Sequence, residues 1–133
     1  MKNLAALKSL TLLVCNGLEI LPEWLGQLNS LEEISIGSCA NLTSLPESMN
    51  LAAVRKLMLI ECKGLVTLPG LLGQLTSLEE ILIGDCPNLT CLPESIRSLS
   101  ALKLLKIVWC PRLIVRFHRE DAYKIRHIPI GLL

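Results

Sequence analysis

The sequence is poor in the residues on which several classes of function depend. Only 3% of its 133 residues are aromatic: one Phe, one Tyr and two Trp. A core built around rings is therefore excluded, and little is available to stack nucleobases. Charge of a single sign is lacking too. Thirteen basic residues stand against twelve acidic ones, for a net charge of +1, and no basic block marks a phosphate-binding surface. No apolar run approaches the roughly 18 residues of a membrane-spanning helix. The opening Met1-Lys-Asn-Leu-Ala-Ala-Leu-Lys8 has too short an apolar stretch for a secretory signal. Neither nucleic acid nor a membrane is expected as a partner. There is no GxxxxGK[ST] loop, no CxxC pair and no nucleophile–base pair in a motif context, and neither His118 nor His127 falls at ligand spacing to a cysteine. A catalytic residue, a metal and a cofactor are all unexpected.

What the chain does have is aliphatic residues in strict order. Hydrophobic residues make up 51% of it, and they recur in columns. Cys15, Cys39, Cys62, Cys86 and Cys110 are spaced by 24, 23, 24 and 24 residues, and Pro22, Pro46, Pro69 and Pro93 keep the same steps. Leu7, Leu31, Val54, Leu78 and Leu102 form a third column. Leu10, Ile34, Leu57, Ile81 and Leu105 form a fourth, and Leu12, Ile36, Leu59, Ile83 and Ile107 a fifth. Leu18, Leu42, Leu65, Leu89 and Leu113 follow the cysteines. The unit is LxxLxLxxCxxLxxLPxxLxxL, a leucine-rich-repeat pattern with Cys where Asn often sits.

The xLxLx segment alternates with period two, so its aliphatics point to one side and its x residues to the other. Short strands of successive repeats then lie side by side about 4.8 Å apart, and the remainder of each unit returns the chain along the outer side. The expected class is α/β: a right-handed leucine-rich-repeat solenoid of about five repeats, with a parallel sheet on the concave face and short helical or irregular returns on the convex side. Glu after Pro22, Pro46 and Pro93 suits the first turn of a short helix. The one-residue shortening between Met49 and Leu51 falls on the outer return. Residues 1–113 form the solenoid. Residues 114–133 break the repeat and are expected to cap it, with Phe117, Tyr123, Ile125, Ile128 and Ile130 over the last open leucine layer. The N-terminal edge near Leu10–Leu12 has no matching cover, Trp24 aside, so self-association through that edge is expected.

The run Cys-x-x-Leu-x-x-Leu-Pro-Glu-Ser-(Met/Ile), at Cys39–Met49 and Cys86–Ile96, resembles the repeats of plant intracellular nucleotide-binding leucine-rich-repeat disease-resistance proteins. Gly84–Leu99 (GDCPNLTCLPESIRSL) is close to their wording. So is the end of the chain, Cys110-Pro-Arg-Leu113 followed by Asp121–Pro129, although Tyr123 stands where that family has Trp and the Gly ahead of the Asp is missing. The resemblance covers only the C-terminal part of such a receptor. It implies recognition of a pathogen effector or a guarded host protein, together with restraint of the receptor's own upstream domains. A second reading is the substrate-recognition repeats of a ubiquitin-ligase adaptor, whose repeats also carry Cys but usually lack the regular Leu-Pro. A third is a structural or engineered repeat scaffold without a specific ligand.

Binding, on any of these readings but the last, would use the outward x positions of the strands. Lys8, Glu32, Arg55, Glu79 and Lys103 alternate in sign from repeat to repeat, as do Glu33, Lys56 and Glu80. Such alternation is what cross-strand pairing would select. The rows beyond are less charged. The candidate protein-binding residues are Thr11, Leu13, Ser35, Lys56, Met58, Ile60, Glu80, Leu82, Asp85, Leu104, Lys106, Val108 and Trp109. Met58, Ile60, Leu82, Leu104, Val108 and Trp109 would make an apolar patch rimmed by charge, with Trp109 as its anchor.

A single cysteine per repeat reads as a small buried filler at the bend after each strand, with Cys91, out of column, on the outer return. Unpaired stacked cysteines point to a reducing, cytoplasmic compartment. Thiol titration of the denatured, unreduced protein is expected to count all six cysteines of the chain; a clearly lower count would mean a disulfide.

Overall fold

In the computed structural model a parallel sheet runs in the order β1-β2-β3-β4-β5-β6. The residues described are 6–19, 28–43, 51–68, 72, 74–116, 118, 119, 122–125, 128 and 130–132. The strands are β1 Ser9–Leu13, β2 Glu33–Gly37, β3 Lys56–Ile60, β4 Glu80–Gly84, β5 Leu104–Val108 and β6 Ile130–Leu132. Their pairing follows the sequence columns residue for residue, with Leu10, Ile34, Leu57, Ile81 and Leu105 in one row and Leu12, Ile36, Leu59, Ile83 and Ile107 in another. The fold is the leucine-rich-repeat solenoid that the pattern predicts.

Each strand is entered and left by a tight turn. The N–H of Leu31, Val54, Leu78 and Leu102 donates to the carbonyl three residues back, just before the strand. The N–H of Leu18, Leu42, Leu65 and Leu89 does the same to the cysteine carbonyl after it. These bonds place a leucine at each corner of the layer, and the strand supplies two more aliphatics between them. All four columns are buried from the second repeat onward. Each full burial stabilises by roughly 1.5–3 kcal/mol. The first repeat differs: Leu7, Leu10, Leu12, Cys15 and Leu18 pack against the core but remain half-buried, because a stacked layer needs a neighbour on both sides.

The cysteines of the column lie two residues past the end of each of β1–β5, and their thiols turn back toward strand carbonyls. Cys39 Sγ lies 3.5 Å from the Gly37 carbonyl oxygen and 3.9 Å from that of Leu12. Cys62, Cys86 and Cys110 repeat this geometry, each reaching the carbonyl two residues back and one in the preceding repeat. A small thiol can be buried in an aliphatic core and still offer a weak donor. All six cysteines are unpaired. Cys91 lies on the return, bridged to Thr67 in a second, minimal parallel contact.

The C-terminal segment contributes a helix, a 3-10 turn and a sixth strand. Helix α1 spans Pro111–Arg116 and buries Leu113, so the departure from the repeat falls on the repeat's own last column. A 3-10 turn covers Ala122–Ile125, and β6 then extends the sheet beyond β5, with Ile130 opposite Leu104 and Leu132 opposite Lys106. Ile128 is buried as expected. Tyr123 is not a core residue: it is exposed, and its hydroxyl donates to Glu94 at 2.7 Å because the turn directs it over the preceding return. Its neighbour Lys124 is buried instead, with Nζ 3.0 Å from the Leu92 carbonyl oxygen and 3.9 Å from Glu94. The Tyr123 hydroxyl, then Arg97, hold the Glu94 carboxyl below its usual range. Pro93 caps the 3-10 helix Glu94–Ser98, as its Pro-Glu start predicts. The expectations for Pro22, Pro46, Trp24, the shortening at Met49–Leu51 and the side chains of Phe117, Ile125 and Ile130 lie outside the described residues.

Ionisation of the cysteine column follows from contact between successive thiols as well as from burial. Burial raises Cys39, whereas contact with Cys86 outweighs burial and lowers Cys62. Contact with the Cys86 thiol, then burial, pushes Cys110 well above the ordinary thiol range. For Cys86, contact with Cys110 acts downward, but Cys62 and burial outweigh it and push the thiol from 9.0 up to about 11. A thiol raised in the folded state contributes stability that is whole below its unfolded pKa and is lost as pH rises through the folded value. The unfolding midpoint is therefore expected to fall between pH 9 and about 11, and Cys86→Ala to flatten that slope. Equal slopes in the two proteins would remove Cys86 as the cause.

Candidate protein-binding face

The outward face of the sheet begins with a ladder of charge. Lys8 Nζ lies 3.9 Å from Glu32, Arg55 lies 3.8 Å from Glu32 and 2.8 Å from Glu79, and Lys103 lies 3.6 Å from Glu79. In the second row Lys56 reaches Glu80 at 3.8 Å. The hydrogen bond between Arg55 and Glu79 raises the guanidinium pKa and lowers the carboxyl pKa. Except at Glu33, which forms no ion pair among the described residues, the alternating signs are matched across strands, where exposed pairs add register more than stability. Of two shallow depressions over this region, one is lined by these charges alone. The other is lined by ladder charges together with small residues of the turns before the strands, such as Ser30, Ala53, Ser77 and Ala101.

The next rows carry the apolar candidates. Thr11, Ser35, Met58, Leu82 and Lys106 are aligned across β1–β5, and so are Leu13, Gly37, Ile60, Gly84 and Val108. Thr11, Leu13, Lys106 and Val108 are exposed, while Ser35, Met58, Ile60, Leu82 and Leu104 are half-buried, as are Lys56 and Glu80. The two glycines explain how the aliphatics lie. A Cβ on Gly37 would come within 2.8 Å of Leu13 Cδ2, and one on Gly84 within 3.2 Å of Ile60 Cδ1. Leu13 and Ile60 therefore lean across the next repeat and smooth the row into a strip.

Asp85 and Trp109 are not on strands. Each belongs to the column just before the cysteines, where Val14, Ser38, Glu61, Asp85 and Trp109 have φ of 54°, 55°, 55°, 53° and 58°. Strict alternation after Ile107 and Val108 would have turned residue 109 toward the core. The left-handed residue reverses that and leaves Trp109 75% exposed. It also keeps the pairing going, since the N–H of Val14, Ser38, Glu61 and Asp85 donates to the last carbonyl of the next strand. No glycine marks the column, so the sequence offered little signal for it. The sequence reading also passed over Gly37 and Gly84, whose role depends on a neighbouring repeat.

The leucine-rich-repeat domain of the type III effector XopL superposes with a TM-score of 0.67 at 26% identity, over 82% of this chain and 47% of that one. A leucine-rich-repeat protein of Leptospira interrogans matches at 24% identity and a TM-score of 0.46, over 80% and 33% of the two chains. The plant peptide hormone receptor RGFR1, in complex with RGF2, matches at 17% identity and a TM-score of 0.20, over 82% and 35%. The chain spans about half the length of the first and about a third of the other two. No family model matches the sequence, and a search of the curated proteins finds no match. The protein is of the leucine-rich-repeat class, a scaffold fold for protein interaction.

Among the described residues, no group of three or more His, Cys, Asp or Glu is placed to hold a metal ion, and no helix is long and apolar enough to cross a membrane. The left-handed column makes its own prediction. A β-branched residue is strained there, whereas Asn tolerates the region. Val14→Asn is expected to raise the unfolding free energy by up to about 1 kcal/mol, measured by denaturant titration. A loss of stability would show that Val14 packing outweighs the backbone strain.

Proposed function

We propose that the chain is a non-catalytic recognition module that binds a protein partner on the outward face of β3–β5. The observation that carries this is the composition of that face. Its charges near the strand starts are matched within the chain, whereas Met58, Ile60, Leu82, Leu104 and Val108 form an apolar field with no described segment across it. A field of this kind, rimmed by charge, is the usual form of a protein interface.

The finer reading is the effector-recognition and autoinhibitory repeat region of a plant intracellular immune receptor, acting in the cytoplasm. It is supported by the wording of Cys39–Met49 and Cys86–Ile96 and of the C-terminal segment. Its partner would be a pathogen effector, a guarded host protein or the receptor's own upstream domains. The test is recovery of proteins from plant extract on the wild-type chain and on Met58→Asp combined with Leu82→Asp, with thermal unfolding of both. A protein held by the wild type and released by the still-folded variant is expected. Equal recovery by both, or none by either, would remove the concave face as the binding surface.

A further inference from the structure

The carboxylates of the outward face differ in their partners, and Glu33, exposed at the start of β2, forms no ion pair among the described residues. Glu32, Glu79 and Glu80 each face a cation on an adjacent strand. Glu61 and Asp85, in the left-handed column that ends β3 and β4, form no ion pair among the described residues, and both are exposed. Glu61 accepts one hydrogen bond, from the Ser38 hydroxyl at 3.3 Å. The two hold adjacent places in one row, on strands spaced about 4.8 Å apart, and Trp109 holds the next. Beside them runs the apolar strip of Ile60, leaning across Gly84, and Val108. One rim thus carries an exposed indole, two like-signed carboxylates without a counter-cation, and aliphatic surface.

These features share one complement. A guanidinium or ammonium group can stand over an indole face, donate charge-assisted hydrogen bonds to a carboxylate, and lay its aliphatic stem on apolar surface. An acidic peptide would meet repulsion from Glu61 and Asp85. We infer that the row Glu61–Asp85–Trp109, with Ile60 and Val108 beside it, docks an arginine or lysine side chain of a partner polypeptide that has an apolar residue next to it. The inference rests on the concave-face reading and assigns the partner its charge.

Two short synthetic peptides serve as probes, one alternating arginine with leucine and the other glutamate with leucine. Binding is followed by calorimetry on the full chain, and by Trp109 fluorescence in a Trp24→Phe background. The arginine peptide is expected to bind and to shift the Trp109 emission, and the glutamate peptide to do neither. Glu61→Gln combined with Asp85→Asn is expected to weaken binding about tenfold, the scale of a charge-assisted contact. A variant of equal charge, Glu32→Gln with Glu79→Gln, should bind as the wild type does. No binding of the arginine peptide, no preference over glutamate, or equal loss in the two double variants would overturn the proposal. The concave-face reading is tested separately, by Met58→Asp with Leu82→Asp. A partner released by that variant and still held by Glu61→Gln with Asp85→Asn would leave a binding face without a cation site.

Discussion

Hydrogen bonding between successive parallel strands is the constraint on which the rest depends. The bonds run past the strands at both ends. Before β2, the Lys8 carbonyl accepts from both Glu32 and Glu33, and after it the Ser38 N–H donates to Ile60. A slip of one residue would carry every aliphatic of a strand to the solvent side, so the register and the leucine columns hold each other in place. The second and third repeats, which differ by one residue in spacing, still pair residue for residue between β2 and β3. β1, with a neighbour on one side only, shows the cost of missing a partner, because its leucines are the half-buried members of otherwise buried columns.

Polar groups are handled by the same repetition. Each strand end leaves carbonyls inside the layer, and an unsatisfied one is costly there. The last carbonyl of β2 to β5 accepts an N–H of the preceding repeat, and the column of thiols adds a second, weak bond with little polar surface. Near the turns, Asn88 Nδ2 donates to the Lys63 carbonyl at 2.6 Å, and Asn41 donates likewise to Asn16. Gly64 stands in the same column because a Cβ would meet the Ala40 carbonyl oxygen at 2.5 Å. In the C-terminal segment a buried polar group, Lys124 Nζ, lies beside the Leu92 carbonyl and Glu94. A buried lysine is tolerable there only because a carbonyl and a carboxylate receive it.

On the outward face, geometry separates two uses of charge. Groups near the strand starts stand on adjacent strands, and all but Glu33 are ion-paired there. Groups on the turn after the strand are presented by left-handed residues beyond the sheet, where Glu61 and Asp85 form no ion pair among the described residues. The apolar strip lies between. A partner would therefore meet matched charge on one side, aliphatic surface in the middle, and acid with an indole on the other.

The fold was legible because it is local and repeated. Period-two alternation decides which residues of Lys56–Ile60 face inward, and five agreeing registers decide which residues pair. The same reasoning reached the Glu32–Arg55–Glu79 ladder, since residues that pair in register bring their charges together. It reached the apolar candidates Met58, Ile60 and Leu82 for the same reason. Other features were decided only by tertiary structure. Trp109 faces outward because of a backbone conformation that nothing in its own side chain favours. Leu13 and Ile60 lie flat because glycines stand in the next repeat. Tyr123 and Lys124 exchange the roles their hydrophobicity would assign, because the end of the solenoid offers a carboxylate and a free carbonyl that belong to residues about thirty positions earlier. Composition and periodicity determine which face of a repeating strand is buried; contacts between distant residues determine what the other face presents.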